Sequence, residues 1–107
     1  MKRPNRGEVW IVDLGMAAKT RPCLVVSIPI IDSDRVLTTV VAHTTTVHGT
    51  RFEVSIPRGF LKPGAFDVQN IASVPCGKFI RRIGQLTPTE KKSVELVLLS
   101  WLGLSNA

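Results

Sequence analysis

The sequence has no hydrophobic run near the roughly 18 residues that a bilayer-spanning helix needs, and its opening Met1-Lys2-Arg3-Pro4-Asn5-Arg6 leads into no apolar signal core. A soluble, cytoplasmic chain is the expectation. Cysteine is scarce: Cys23 and Cys76 make no CxxC or Cys/His pattern, which argues against a zinc or redox motif and for buried free thiols. Aromatic residues amount to 6%, namely Trp10, Phe52, Phe60, Phe66, Phe79 and Trp101. Several of these fall at core positions, so a base-stacking platform is poorly supported. No repeat, low-complexity stretch or Ser/Gly linker interrupts the 107 residues, which predicts a single domain over residues 1–107.

Acidic side chains are also few. Eight Asp and Glu stand against fourteen Lys and Arg, a net charge of +6, so the surface attracts polyanions and nucleic acid is the first partner to consider. The charge is uneven, with +3 over residues 1–21, −1 over 22–57 and +4 over 58–107, so the basic groups must converge in space to form one site. With 44% hydrophobic and 21% charged residues there is enough apolar material for a core, which excludes a disordered tail.

The elements are short. Residues 8–14, rich in β-branched and aromatic side chains and closed by Gly15, read as a strand, and residues 23–27 as a second. Residues 36–42, nearly all apolar or Thr, suit a central strand packed on both faces. Residues 52–56 alternate, with Phe52, Val54 and Ile56 on one face. Beyond the breakers Pro57-Arg58-Gly59 and Lys62-Pro63-Gly64 come residues 66–70, a short extended piece to Val74, a turn at Pro75-Cys76-Gly77 and an extended segment 79–83. The end differs: Thr87-Pro88-Thr89-Glu90 is a capping box with proline at the first helical position. Val94, Val97, Leu98, Trp101 and Leu102 then make one apolar stripe, and Gly103 is placed to end the helix. The class is mainly β, five or six antiparallel strands curled into a small open barrel, with one C-terminal helix. Leu96 and Leu99 lie off the stripe, so the helix face is covered either by the sheet or by a second copy in a homodimer.

Three groups can carry chemistry. In Lys19-Thr20-Arg21-Pro22, Arg21 is stiffened by Pro22 and its guanidinium suits bidentate contact with phosphate; a lone Arg-Pro is also the ordinary solvated start of a strand. In His43-Thr44-Thr45-Thr46 with His48-Gly49-Thr50-Arg51, hydroxyls, imidazoles and a guanidinium can orient a phosphodiester and move protons. Thr also simply favours strands, His48 reads as an exposed loop residue, and His43 is divided between core and site. Lys78, Arg81 and Arg82, preceded by Asp67, Gln69 and Asn70, can track a backbone and read base edges, or form a solvated face. Asp32-Ser33-Asp34, with no further ligands nearby, reads as a turn, so no metal and no cofactor are expected.

Taken in order, Arg6-Gly7-Glu8-Val9-Trp10, Lys19-Thr20-Arg21-Pro22-Cys23-Leu24-Val25-Val26-Ser27, Val40-Val41-Ala42-His43-Thr44-Thr45-Thr46, Ile83-Gly84-Gln85-Leu86 and Leu102-Gly103-Leu104 resemble the MazF/PemK toxins of toxin–antitoxin systems. The likeness runs nearly end to end. It implies an SH3-like open barrel of the CcdB/MazF type, a homodimer, and a metal-independent, sequence-specific endoribonuclease acting on single-stranded mRNA. It also implies a cognate antitoxin, a DNA-binding protein with an acidic C-terminal segment. By the same resemblance Arg21 and Thr45 are catalytic, Thr46 follows in the motif, and Gln69 and Asn70 contact RNA; on residue type, Lys19, His43, Thr44, Thr46, Arg51 and Arg81 are expected to contact RNA as well.

The chain departs from the family pattern in three places: the short loop from Gly15 to Lys19, the missing arginine after Ile71, and His43 ahead of the Thr pair. The last offers acid–base chemistry that other members lack. Two other functions fit the same architecture. One is a gyrase-poisoning toxin acting through the helix end from Trp101 to Leu104, and the other is a nucleic-acid-binding module without catalysis.

Overall fold

The computed structural model describes residues 2–15 and 19–104; the 15–19 loop named above as a departure from the family pattern lies mostly outside them. The strands are β1 (Glu8–Asp13), β2 (Thr20–Val25), β3 (Leu37–Thr44), β4 (Glu53–Val54), β5 (Ala65–Pro75) and β6 (Phe79–Gln85), followed by helix α1 (Pro88–Trp101). They form one sheet in the order β4-β5-β3-β2-β1-β6. Every pairing is antiparallel, and β4 and β6 are unclosed edges. This is the expected class: a curled antiparallel sheet with one C-terminal helix.

Curvature comes from bulges. Between the pairs Val41↔Ile71 and His43↔Phe66, β3 advances two residues while β5 advances five, so residues 67–70 swell out of the ladder. Such an insertion bends the strand and raises its twist. The two extended pieces expected over 66–74 are therefore one strand folded at a bulge. Two further register shifts bend β6 along β1.

Strand alternation splits the apolar residues between two faces. Val9, Leu24, Val41, Phe66 and Val68 gather under α1 with Val94, whereas Val12, Cys23, Val25, Val40, Ala42 and Phe79 form a second cluster on the opposite face. Both cysteines are free and buried, as expected. The strand expected over 52–56 shrinks to two paired residues, because Phe52 and Ile56 bury their side chains without joining the ladder. The boundaries of β2 and β3 also move. β2 begins at Thr20 and not Cys23, which places Arg21 inside the strand, and β3 runs on to include His43 and Thr44.

The capping box forms as expected. The Glu90 amide donates to Thr87 Oγ1 at 3.2 Å and the Thr87 amide donates to Glu90 Oε1 at 2.9 Å. At the other end Gly103 takes φ +71°, its amide donates to the Ser100 carbonyl and that of Leu104 to the Leu99 carbonyl, a Schellman stop. The outer helix face stays open, with Leu96, Leu99, Trp101 and Leu102 exposed.

Gly64 marks the closest approach of the segment between β4 and β5 to the sheet. A Cβ there would lie 2.1 Å from the Thr44 carbonyl oxygen and 2.9 Å from His43 Cε1. Gly64→Ala is expected to destabilise the fold by about 3 kcal/mol through backbone displacement. Thr87→Ala is expected to cost about 1 kcal/mol through the lost cap. Urea unfolding checks both as lower midpoints at unchanged slope.

Candidate active site

β2 pairs with β1 over its whole length, from Val9↔Leu24 to Asp13↔Thr20, but with β3 only from Cys23↔Ala42 to Val25↔Val40. Pro22 has no N–H to extend that second ladder toward His43. Residues 20–22 therefore run past β3 unpaired on one side, and a cavity of about 540 Å³ opens there. That is a size suited to a small ligand or part of a larger one. Its walls are Ile11 of β1, Lys19, Thr20, Arg21 and Pro22, His43 and Thr45 at the end of β3, Arg81 and Ile83 of β6, and Phe60 and Lys62 from the 55–64 segment.

Local chemistry aims these side chains. Lys19 enters β2 with φ +53°, a left-handed conformation uncommon outside glycine, and its carbonyl accepts the Leu14 amide at 2.8 Å. Thr44 Oγ1 accepts the Thr46 amide at 3.0 Å, a side-chain turn that bends the chain at Thr45 and leaves that residue exposed at the rim. The loop beyond is tied by Glu53, whose carboxylate accepts the His48 amide at 2.7 Å and the Thr50 amide at 2.6 Å. Those donors hold its carboxyl below the usual range.

The electrostatics are one-sided. Lys19, Arg21, Lys62 and Arg81 all line the cavity and no carboxylate does. The ion pairs among the described residues, Arg3–Asp32, Arg6–Glu95, Arg58–Glu90 and Arg82–Glu8, all lie elsewhere. Arg21 Nε is buried without an acceptor among the described residues. Leaving such a donor unmade costs about 1–3 kcal/mol. His43 is only 4% exposed and stands edge-on to Phe66 with ring centroids 5.1 Å apart. Burial pushes its imidazole pKa down, so the ring is neutral at physiological pH. Cys23, beside Arg21, has its thiol pushed up to about 12 by burial despite the opposing Arg21 charge, so it is no nucleophile.

Of the residues singled out in the sequence, the structure gathers Lys19, Arg21, His43, Thr45 and Arg81 around this cavity. It does not bring Thr44, Thr46, Arg51, Gln69 or Asn70 to its walls. Thr44 and Thr46 are spent on the bend, and Arg51 lies over the Phe52 ring, 4.5 Å from its centroid. Gln69 and Asn70 stand on the β5 bulge, where Asn70 lines a second cavity of about 380 Å³ with Asp13, Ser73 and Lys78. Asp34 accepts the Ile31 amide at 3.0 Å and Asp32 pairs with Arg3, the expected turn. Among the described residues no three His, Cys, Asp or Glu side chains cluster as metal ligands.

Sequence reasoning missed Phe60 and Lys62, which sit among breakers and read only as loop. The available signal was Gly84, a glycine inside a strand, which marks a close approach. A Cβ at Gly84 would lie 2.5–2.6 Å from Cζ, Cε1 and Cε2 of Phe60.

The family model for the PemK-like, MazF-like toxin of type II toxin–antitoxin systems matches residues 5–102. Among solved structures, the chain is similar to an endoribonuclease in complex with its cognate antitoxin from a mycobacterial species. That match has 26% identity and TM-score 0.82 over 97% of this chain and 99% of that one. A second endoribonuclease from a mycobacterial species is 24% identical with TM-score 0.81 over 100% and 98%. The Deinococcus radiodurans MazE–MazF structure is 21% identical with TM-score 0.81 over 98% and 100%. The last two share the fold.

The depressed His43 pKa carries a stability signature. The unfolded chain binds this proton from about pH 6.5 downward while the folded chain resists it. Stability is therefore expected to fall as pH drops below about 6.5, and His43→Gln to remove that part of the slope, as read by urea unfolding between pH 7.5 and 5.

Proposed function

Because this chain belongs to the PemK-like, MazF-like toxin family of type II toxin–antitoxin systems, we propose that it is an endoribonuclease cutting single-stranded RNA at the Arg21–Thr45 cavity. The observation that carries this reading is a cavity walled by four cations, Arg21 among them, and by no carboxylate. An anion is the complement of that site, and the phosphodiester is the anion that RNA supplies. The 26%-identical relative with an antitoxin bound is itself described as an endoribonuclease, which supports the assignment.

RNA carries its own nucleophile. The 2′-hydroxyl attacks the adjacent phosphorus, a bond forms from O2′ to phosphorus, and the bond from phosphorus to O5′ breaks. The protein need only hold the attack in line and neutralise the phosphorane. The Arg21 guanidinium takes the charge on the non-bridging oxygens and hydrogen-bonds the leaving 5′-oxygen, which is protonated from water. The Thr45 hydroxyl donates to a phosphoryl oxygen. Among the described side chains of the cavity, the His43 ring, kept neutral by burial, has a free nitrogen lone pair, and it takes the proton from the 2′-hydroxyl as the bond to phosphorus forms. The scheme needs no metal, because the nucleophile is internal and the guanidinium supplies the positive charge.

A homodimer and a cognate antitoxin with an acidic segment complete the proposal, along with a single domain over the whole chain. The net charge of +6 suits an acidic peptide, and the exposed Leu96, Leu99, Trp101 and Leu102 suit burial by another chain.

Purified protein is expected to cut a long mixed-sequence RNA in EDTA, leaving 2′,3′-cyclic phosphate and 5′-hydroxyl ends, and to leave DNA of the same sequence whole. Arg21→Ala is expected to lower the rate about 10²–10³-fold with the fold intact by circular dichroism. Cutting that requires added Mg²⁺, or that proceeds at the wild-type rate in Arg21→Ala, refutes the mechanism. Trapped gyrase–DNA complexes with intact RNA would point instead to the gyrase-poisoning function.

A further inference from the structure

The proposed chemistry uses Arg21, Thr45 and His43 and leaves other cavity side chains without work, among them Phe60 and Lys62. Both come from the 55–64 segment, which is clamped at three points. Arg58 pairs with Glu90 of the helix cap at 2.6 Å and lies over the Phe60 ring at 5.1 Å. The Phe60 ring lies over Gly84, whose missing Cβ would be nearly equidistant from its three outer atoms, so the ring presents a face to β6. Gly64 then rests against the Thr44 carbonyl. Between the Phe60 and Gly64 clamps the Leu61 amide donates to the Arg58 carbonyl at 3.0 Å, and Lys62 projects at the cavity wall, exposed and without an ion-pair partner among the described residues.

A segment held this firmly delivers Lys62 to a fixed place. One phosphodiester carries one negative charge, whereas this cavity presents four uncompensated cations. Arg21 is matched by the linkage under attack, and the remaining positive charge is matched only if neighbouring phosphates enter as well. We propose, resting on the ribonuclease reading above, that Lys62 is a substrate-binding residue gripping a phosphate next to the cleaved linkage. The substrate is then a strand that continues beyond the cut, and Lys62 adds affinity without reading sequence.

Counterion release tests this. Each phosphate contact to a single strand contributes about 0.7 to the slope of log affinity against log salt. Four contacts weaken binding about 50-fold between 50 and 200 mM KCl, and three weaken it about 18-fold. The measurement is fluorescence anisotropy of a labelled, mixed-sequence 2′-O-methyl oligonucleotide, which resists cleavage, with the full-length protein.

Lys62→Ala is expected to lower the slope by about 0.7, Lys62→Arg to keep it, and Lys92→Ala, on the outer face of α1, to leave it unchanged. In parallel cleavage assays Lys62→Ala is expected to raise KM while kcat and the map of cut positions stay as in the wild type. A Lys62→Ala slope equal to that of the wild type, a slope lost equally in Lys92→Ala, or a changed cut map overturns the proposal. If the slope falls in Lys62→Ala but the wild type cuts no RNA, the phosphate grip stands and the ribonuclease reading fails.

Discussion

The early end of the β2–β3 ladder is the constraint on which the rest depends. Two antiparallel strands stay together while each offers the other an N–H, and at Pro22 that offer stops. Because β2 continues along β1 and β3 continues along β5, both strands remain held on their outer sides while the gap between them opens. Arg21 thus sits on a rigid strand at the edge of a space, where a loop arginine would move freely. The same geometry brings the end of β3, with His43 and Thr45, to the opposite wall.

Charge placement gives that space its character. The acidic residues that form ion pairs among the described residues, Asp32, Glu95, Glu90 and Glu8, pair with Arg3, Arg6, Arg58 and Arg82, none of which lines the cavity. The cavity cations are left unneutralised, so the positive potential concentrates where it can meet a polyanion. Glu90 has a second consequence: one carboxylate closes the helix cap and anchors Arg58, and through Phe60 it fixes the 55–64 segment across the site. Helix capping and site construction are thus parts of one network. His43 adds no charge to this set, because burial favours its neutral ring.

Much of the fold was legible because local rules are strong in this chain. The capping box at Thr87, the stop at Gly103 and the apolar stripe set the helix, and β-branched runs set the central strands. Boundaries were read less well where pairing, and not composition, decides them. Arg21 and Pro22 have weak strand character and join β2 because β1 pairs with them, while residues 52–56 alternate cleanly yet only Glu53 and Val54 pair as a strand, preceded by one bond from the Val68 amide to the Phe52 carbonyl. Part of the site was legible too: Arg-Pro and the Thr run drew attention as residue types suited to phosphate. Gln69 and Asn70 were grouped with it by the family resemblance, whereas both stand on the bulge at residues 67–70 and Asn70 lines another cavity.

The sequence by itself determined the mainly antiparallel class, the terminal helix with both its ends, the buried thiols and the excess of positive charge, because each follows from short-range periodicity, capping chemistry or simple counting. Only the tertiary structure decided which cations share one space. Lys19, Arg21, Lys62 and Arg81 are spread over more than sixty positions, and their convergence depends on strand order, on a ladder that ends early and on glycines that let one segment lie against another. These are long-range steric and hydrogen-bonding facts, and no local pattern encodes them.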